Sequence, residues 1–335
     1  MKIAIVKLSA MGDIIHAMLS LQFIKKSIAN VQIDWFVEEA FAKVLEFNPH
    51  IDNIYKLNLK SIKKDKKNLF SQVALLKEYS KNDYDLVIDA QGLIKSAIVT
   101  KYLGKKRVGF DKNSTREGTA SFFYTDKISS LYERNVIERN IDVICKALDI
   151  EVTKEDILDK EPFLYFENES REIYSYLRSE KKNILFVIGA SWPSKMYSKE
   201  KFAKIINNLN ENCLIAWGSE EEKKIADEIS LNSSAIVLPK LDLNDLKAVV
   251  KNCELVIGND TGPTHMAWAL NIPSITIFGC TPGTRNTYLT DINKIIESDS
   301  IVNPLKLNRD DFSICDVKEE GIISLAEGIL YEGRY

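Results

Sequence analysis

Residues 258–286 read GNDTGPTHMAWALNIPSITIFGCTPGTRN. A strand-like run, ELVIG (254–258), feeds into this stretch, and a second, SITIF (274–278), lies inside it. Pro263 suits the first turn of a helix. HMAWAL carries that helix on, and Asn271 and Pro273 end it. Strand, helix and strand in so few residues predict a parallel α/β unit. A helix opening at a strand exit turns free backbone N–H groups and the positive end of its dipole outward, a setting that suits phosphate. Gly258 and Gly262 allow a tight turn or a close approach there. Asp260 and Thr261 also read as plain helix caps. His265 reads as either an anion contact or a structural histidine. After SITIF, Gly279 and Gly283 bring a turned loop toward the same place.

The same grammar extends outward. NILFVIG (183–189) and NCLIAWG (212–218) read as strands, and SKEKFAKIINNLN, EEEKKIADEIS and LDLNDLKAVVKNC as helices. In the first half, IAIVKL (3–8), VQIDWFV (31–37) and DLVIDA (85–90) read as strands. Helices are expected from Ile14 to about Ile28, over EEAFAKVLEFNP until Pro49 stops it, and from about Leu93 to Tyr102 with Gly104 as the stop. The expectation is an α/β protein of two Rossmann-like domains with parallel sheets. Residues 1–160 form the first, 161–182 a linker region and 183–335 the second. The last helical segment, GIISLAEGILYE, has the option of packing back on the first domain. Ligands on such sheets gather beyond the carboxyl ends of the strands, which in two domains would face a cleft.

Composition sets bounds. The chain has 335 residues, 45% of them apolar, enough for two cores. A net charge of −3 speaks against a general nucleic-acid binder. The charge is uneven: residues 1–160 carry 26 Lys/Arg against 22 Asp/Glu, whereas 161–335 carry 19 against 26. The first half therefore suits an anionic partner. Five cysteines without a CxxC pair point to a reducing compartment, with neither disulfides nor a zinc site. The start, MKIAIVKLSAMGD, lacks the pattern of a signal peptide, and no run is long and apolar enough to span a membrane.

KLSAMGDIIH (7–16) is the second informative loop. It matches neither GxGxxG nor GxxxxGK[ST], so a glycine-rich phosphate cradle is not expected. The first strand delivers Ser9, Met11, Gly12 and Asp13 to the rim. Asp13 reads as the N-cap of a helix starting at Ile14, or as a general base that takes a proton from an attacking hydroxyl. His16 lies one turn on. At another strand exit, GASWPSKMYSKE (189–200), Ser191 could donate to a phosphate and Lys195 could neutralise it. In WGSEEEK (217–223), Glu220 reads as a favourable acidic first turn or as a partner for sugar hydroxyls. Asp83 and Asp85 form a DxD at a strand entry and read as turn residues, not metal ligands.

These segments together resemble the lipopolysaccharide heptosyltransferases of glycosyltransferase family 9, nearest the type I branch of the Gram-negative inner core. The resemblance rests on KLSAMGDIIH, DWFVEE, DLVIDAQGLIKSA and, above all, residues 258–286. It implies a GT-B fold and inverting transfer of L-glycero-D-manno-heptose from ADP-heptose to a Kdo residue of Kdo-lipid A. The first domain would receive the acceptor and the second the donor. Asp13 corresponds to the family's catalytic aspartate. Ser191, Lys195, Thr261, Gly262 and His265 match its phosphate-binding positions. Asp260 and Glu220 fall on donor contacts, with Trp217 and Gly218 lining the same region. Ser9, Met11 and Gly12 would stand on the acceptor side. KSIKKDKK (60–67), through Lys60, Lys63 and Lys64, and Arg116 in GFDKNSTREG would clamp acceptor phosphate or carboxylate; an ordinary solvated loop is the other reading of the lysine run. No cofactor or metal is demanded, and Mg²⁺ stimulation through the soluble donor is compatible with this chemistry. The implied protein is a monomer working peripherally at the cytoplasmic face of the inner membrane. The competing readings are a type II heptosyltransferase, another GT-B sugar-nucleotide enzyme or a non-catalytic phosphoglycan-binding module.

Overall fold

A computed structural model describes residues 1–332, except for the side chains of Lys63 and Glu332. The chain divides into two compact units, Met1–Phe163 and Leu164–Tyr335. In the first, β1 (Lys2–Val6), β2 (Gln32–Glu38), β3 (Asn53–Leu57), β4 (Leu86–Asp89), β5 (Arg107–Phe110) and β6 (Asp126–Ile128) form one sheet ordered β3-β2-β1-β4-β5-β6. In the second, β7 (Asn183–Val187), β8 (Asn212–Ala216), β9 (Ile236–Val237), β10 (Leu255–Asn259), β11 (Ser274–Phe278) and β12 (Asn293–Glu297) are ordered β12-β11-β10-β7-β8-β9. Every pairing is parallel. The two orders are the same topology traced twice.

Why the central strands were legible follows from burial. β7, β8, β10 and β11 are buried at every residue, so both sheet faces select apolar side chains and the sequence reads as an unbroken run. Phe186 of β7 meets Phe202 edge-on at 5.9 Å, and Tyr197 meets Phe202 at 5.2 Å. The outer strands carried weaker signals. β3 is half-exposed, β5 (RVGF) contains a glycine and β9 has only two residues. Together with β6 and β12, these strands were not foreseen.

Three expected elements are corrected. The first helix begins at Met11 instead of Ile14, and it breaks at Leu19 into Met11–Met18 and Ser20–Ser27. EAFAKV forms a 3₁₀ helix, Glu39–Val44, and the chain then turns at Phe47 with φ of 67° ahead of Pro49. The lysine run forms a short helical turn, Ser61–Lys64, with Lys60 at its N-cap, and is not an open loop. The segment 164–182 belongs with the second unit. Ser170 N–H donates to Asp245 at 2.8 Å, and the Asn244 side chain donates to the Glu167 carbonyl at 3.0 Å. The terminal helix Glu319–Glu327 also packs within that unit. Ile322, Ala326 and Ile329 enter its core, and Glu319 pairs with Lys204 at 2.8 Å.

The strand order decides where loops meet. The order in which successive strands join the sheet reverses between β1 and β4, and again between β7 and β10, while the strands stay parallel. At such a point adjacent strands send their following helices to opposite faces, which opens a crevice at the carboxyl edge. The loop carrying Asp13 therefore adjoins the loop after β4, and the loop carrying Lys195 adjoins Asp260.

Gly258 sits at this second junction, opposite Val187. A Cβ added there would lie 2.6 Å from the Val187 Cβ and 2.8 Å from the Thr264 hydroxyl. Gly258→Ala is expected to force β7 and β10 apart and to cost about 1–3 kcal/mol. Urea unfolding checks this; an unchanged midpoint would refute it.

Candidate active site

At the end of β10 the backbone is fastened across the switch point by Asn259. Its side-chain oxygen accepts from Tyr197 N–H at 3.0 Å, and its amide donates to the Ile188 carbonyl at 2.7 Å. Asp260 follows and is buried. Its Oδ2 lies 2.7 Å from the Lys195 ammonium and accepts from the Thr281 hydroxyl at 2.9 Å and the Asn286 amide at 3.3 Å. Its Oδ1 meets His265 Nε2 at 3.1 Å. Burial by itself pushes the Asp260 carboxyl up, but the Lys195 charge and the His265 hydrogen bond overrule it and hold the group well below the usual range.

Neither Asp260 nor Thr261 caps the next helix, Gly262–Ala269, with its side chain. Thr261 occupies the N-cap position with extended backbone and makes no side-chain cap bond, while Asp260 is committed elsewhere. The first-turn N–H groups of Gly262 and Thr264 thus open toward the strand exit without a side-chain cap. Thr264 turns its hydroxyl back to the Asn259 carbonyl at 2.7 Å. Lys195 is withdrawn from solvent. It is buried in the 3₁₀ turn Pro193–Lys195, with its ammonium 5.1 Å from the Trp192 ring centre. Ser191 beside it is exposed.

On the β8 side, Trp217 donates its indole N–H to the Leu238 carbonyl at 2.7 Å. Glu220 heads the helix Glu220–Leu231 and is exposed. Its neighbour Glu222 turns inward instead, accepting from Gly218 N–H at 2.6 Å. A Cβ on Gly189 would fall 2.2 Å from a Glu222 oxygen, so that carboxylate lies directly against the β7 exit. Three consecutive glutamates gave no means of telling which would face inward; the Ser219 cap, bonded to Glu222 N–H, settles the rotation. Trp192, Thr281 and Asn286 were also missed, although the last two lie within the opening stretch.

The first unit holds a separate cluster at its own switch point. Gln91 Oε1 accepts from Leu8 and Ser9 N–H at 3.1 and 3.0 Å, and Lys95 donates to the Ser9 hydroxyl at 3.3 Å. Asp13 is the third residue of its helix, not the N-cap. Its Oδ2 accepts from Ala10 N–H at 3.1 Å, and the side chain is half-buried. Oδ1 makes no hydrogen bond among the described residues. Met11 and Gly12 stand in the same first turn, whereas His16 is buried. Lys60 lies 5.1 Å from the Phe41 ring centre, close to the buried Glu38. Burial raises the Glu38 carboxyl, against the opposing pull of Lys95 and Lys60. Arg116 is exposed. The Lys63 side chain lies outside the described residues. Asp83 adopts a left-handed turn and Asp85 accepts the Lys2 N–H at 2.7 Å, as turn and strand-entry residues do. Among the described residues no His/Cys/Asp/Glu group is arranged to hold a metal.

Residues 72–309 match the family model described as glycosyltransferase family 9 (heptosyltransferase). A lipopolysaccharide heptosyltransferase 1 of Campylobacter coli is 40% identical, covering 98% of both chains. The chain belongs to glycosyltransferase family 9. Among solved structures, the E. coli heptosyltransferase WaaC with ADP-2-deoxy-2-fluoro heptose superposes with a TM-score of 0.78 at 22% identity, over 98% of this chain and 99% of that one. A family 9 glycosyl transferase from Veillonella parvula gives 0.79 at 21% identity, over 99% and 97%. The family member described here has the GT-B fold, with two Rossmann-like domains.

Asp260→Asn would leave a buried ammonium without its counter-charge, at a cost of about 3–5 kcal/mol. Because the folded carboxyl is held below its unfolded value, this contribution is full above about pH 4 and is lost as acid protonates the group. The stability gap between wild type and variant is therefore expected to be flat from pH 8 to 5 and to shrink below about pH 4. Unfolding measured across that range checks both size and sign.

Proposed function

We propose that this protein moves L-glycero-D-manno-heptose from ADP-heptose to a Kdo residue of Kdo-lipid A, with inversion, in assembly of the lipopolysaccharide inner core. One observation carries the reading. The buried Lys195–Asp260–His265 cluster stands at the switch point of the second unit, beside a helix start that no side chain caps. That is a preorganised site for a leaving diphosphate. The relative's name and the nucleotide-sugar analogue in the E. coli structure support heptose as the group transferred.

In this reading the second unit takes the donor. Thr261, Gly262 and the Gly262–Ala269 helix start receive the phosphates, with Ser191, Lys195 and His265 around them. Glu222, in place of Glu220, offers its carboxylate to sugar or ribose hydroxyls near Trp217 and Gly218. The first unit takes the acceptor. The Kdo hydroxyl oxygen attacks the anomeric carbon as the bond to the β-phosphate oxygen breaks, and Asp13 Oδ1 takes the hydroxyl proton. The electron pair leaves with ADP, and no covalent enzyme intermediate forms. Ser9, Met11, Gly12, Lys60, Lys64 and Arg116 are assigned to the acceptor side, with Lys63 assigned there from the sequence alone; Lys95, which donates to the Ser9 hydroxyl, joins them in this reading.

Work at the cytoplasmic face of the membrane is part of the same proposal. Among the described residues no helix is long and apolar enough to cross a bilayer. The first unit does expose Ile94, Ile98 and Tyr102 along the helix Ile94–Leu103, and Phe122 nearby is 80% exposed. Lys101 and Lys105 flank that stripe. Apolar side chains ringed by lysines suit an anionic lipid surface.

Purified protein given ADP-heptose and Kdo₂-lipid A is expected to yield a product heavier by one heptose, read by mass. Asp13→Asn keeps an acceptor for Ala10 N–H and is expected to lower turnover about 10²–10⁴-fold while leaving ADP affinity unchanged. Unchanged turnover would remove Asp13 as the base.

A further inference from the structure

The charge at the donor site does not add up if Lys195 is its only cation. Lys195 and Asp260 are both buried and 2.7 Å apart, so the pair is neutral as a unit. Lys195 retains N–H donors, but its positive charge is cancelled within the pocket. A nucleoside diphosphate brings at least two negative charges, which grow on the β-phosphate as the sugar bond breaks. The helix start offers only a fraction of one positive charge in return. A second cation, not already matched by a carboxylate, is called for.

The segment after β12 supplies one. Arg309 places its guanidinium carbon 4.7 Å from the centre of the Trp192 ring, the same ring that Lys195 approaches at 5.1 Å. Arg309 is exposed and has no carboxylate partner among the described residues. Trp192 is itself fixed, since its indole N–H donates to Cys280 Sγ at 3.4 Å and Cys280 lies against Ser194. The Arg309 segment is tied at both ends. The Ser298 and Ser313 hydroxyls meet at 2.9 Å, and the Ser300 hydroxyl donates to Asp311 at 2.5 Å. Ile314 then packs where a Gly279 Cβ would be, 2.6 Å away, so the base of the segment abuts the loop bearing Cys280 and Thr281. A guanidinium stacked on a ring keeps its planar edge of N–H donors outward, the edge that matches phosphate in a bidentate way.

We infer that Arg309, seated on Trp192, is a second phosphate-binding cation of this site and grips the β-phosphate of the nucleotide diphosphate. Trp192 is a positioning residue that acts through it. This inference rests on the donor reading above, and it assigns the charge to a segment that no motif marked. The ordinary alternative is that the stacking merely pins the segment.

Titration calorimetry of the full chain with ADP, AMP and inorganic pyrophosphate separates these cases. Arg309→Ala is expected to weaken ADP and pyrophosphate about 10- to 100-fold and to leave AMP within about twofold. Arg309→Lys, which keeps the charge but loses the fork, is expected to recover part of the loss. Trp192→Leu should weaken ADP in the same direction, through the lost seat. Thermal melting of each variant shows that the fold is kept. Equal ADP affinity in Arg309→Ala and wild type overturns the inference and leaves the donor reading standing. A parallel loss of AMP affinity overturns it in favour of the pinning role. A wild-type chain that binds neither ADP nor pyrophosphate overturns both readings.

Discussion

The second unit is organised around one buried carboxylate. Asp260 leaves β10 where the strand order reverses, and four side chains from three stretches of chain converge on it: Lys195, His265, and Thr281 with Asn286. Burying a charge is costly unless it is paired and hydrogen-bonded. That requirement fixes the positions of the loops that supply the partners. The turn after β7, the first turns of the Gly262–Ala269 helix and the loop after β11 cannot move independently while Asp260 is ionised. A site preorganised in this way reorganises little as charge builds on a leaving group.

The first unit solves a similar problem by other means. Its loop after β1 is held without a buried ion pair, with Gln91 accepting from two consecutive N–H groups and the Lys95 ammonium reaching the Ser9 hydroxyl. Asp13 remains half-exposed, with one oxygen spent on Ala10. In the proposed reaction Asp13 is the base, and a base that exchanges protons with substrate benefits from an oxygen outside the local network. Asp260, proposed to anchor the phosphate-binding loops, benefits instead from full commitment. The two aspartates differ in burial and in hydrogen bonding along those lines.

The repeated topology accounts for how these sites came to be marked in the chain. Strand order 3-2-1-4-5-6 in one unit and its counterpart in the other put a switch point beside the first and fourth strands of each. Ser9–Asp13 and Gln91–Lys95 follow β1 and β4. Gly189–Lys195 and Asp260–His265 follow β7 and β10. Three of these four segments drew notice for their residues; Gln91–Lys95 entered only inside a family-like stretch. The gap is intelligible, because an uncharged glutamine beside a glycine carries no charge or motif to distinguish it from an ordinary loop.

Much was determined by local sequence alone. Buried parallel strands write unbroken apolar runs, helices write a period, and glycine and proline punctuate both, so the α/β class, the central strands and the rims at 7–16 and 258–270 were legible. Edge strands such as β3 and β9 were not, because half-exposed or very short strands write no such run. Side-chain direction was also hidden. Asp13 reads as a cap as well as a base because nothing local marks the helix start at Met11, and nothing local tells which of three adjacent glutamates, Glu220 to Glu222, turns inward. Pairing across long stretches of sequence was beyond reach for the same reason. That Lys195 is neutralised by Asp260, and that Arg309 rests on Trp192, depends on strand order and loop anchoring. These are set by the packing of the whole domain, and no local pattern encodes them.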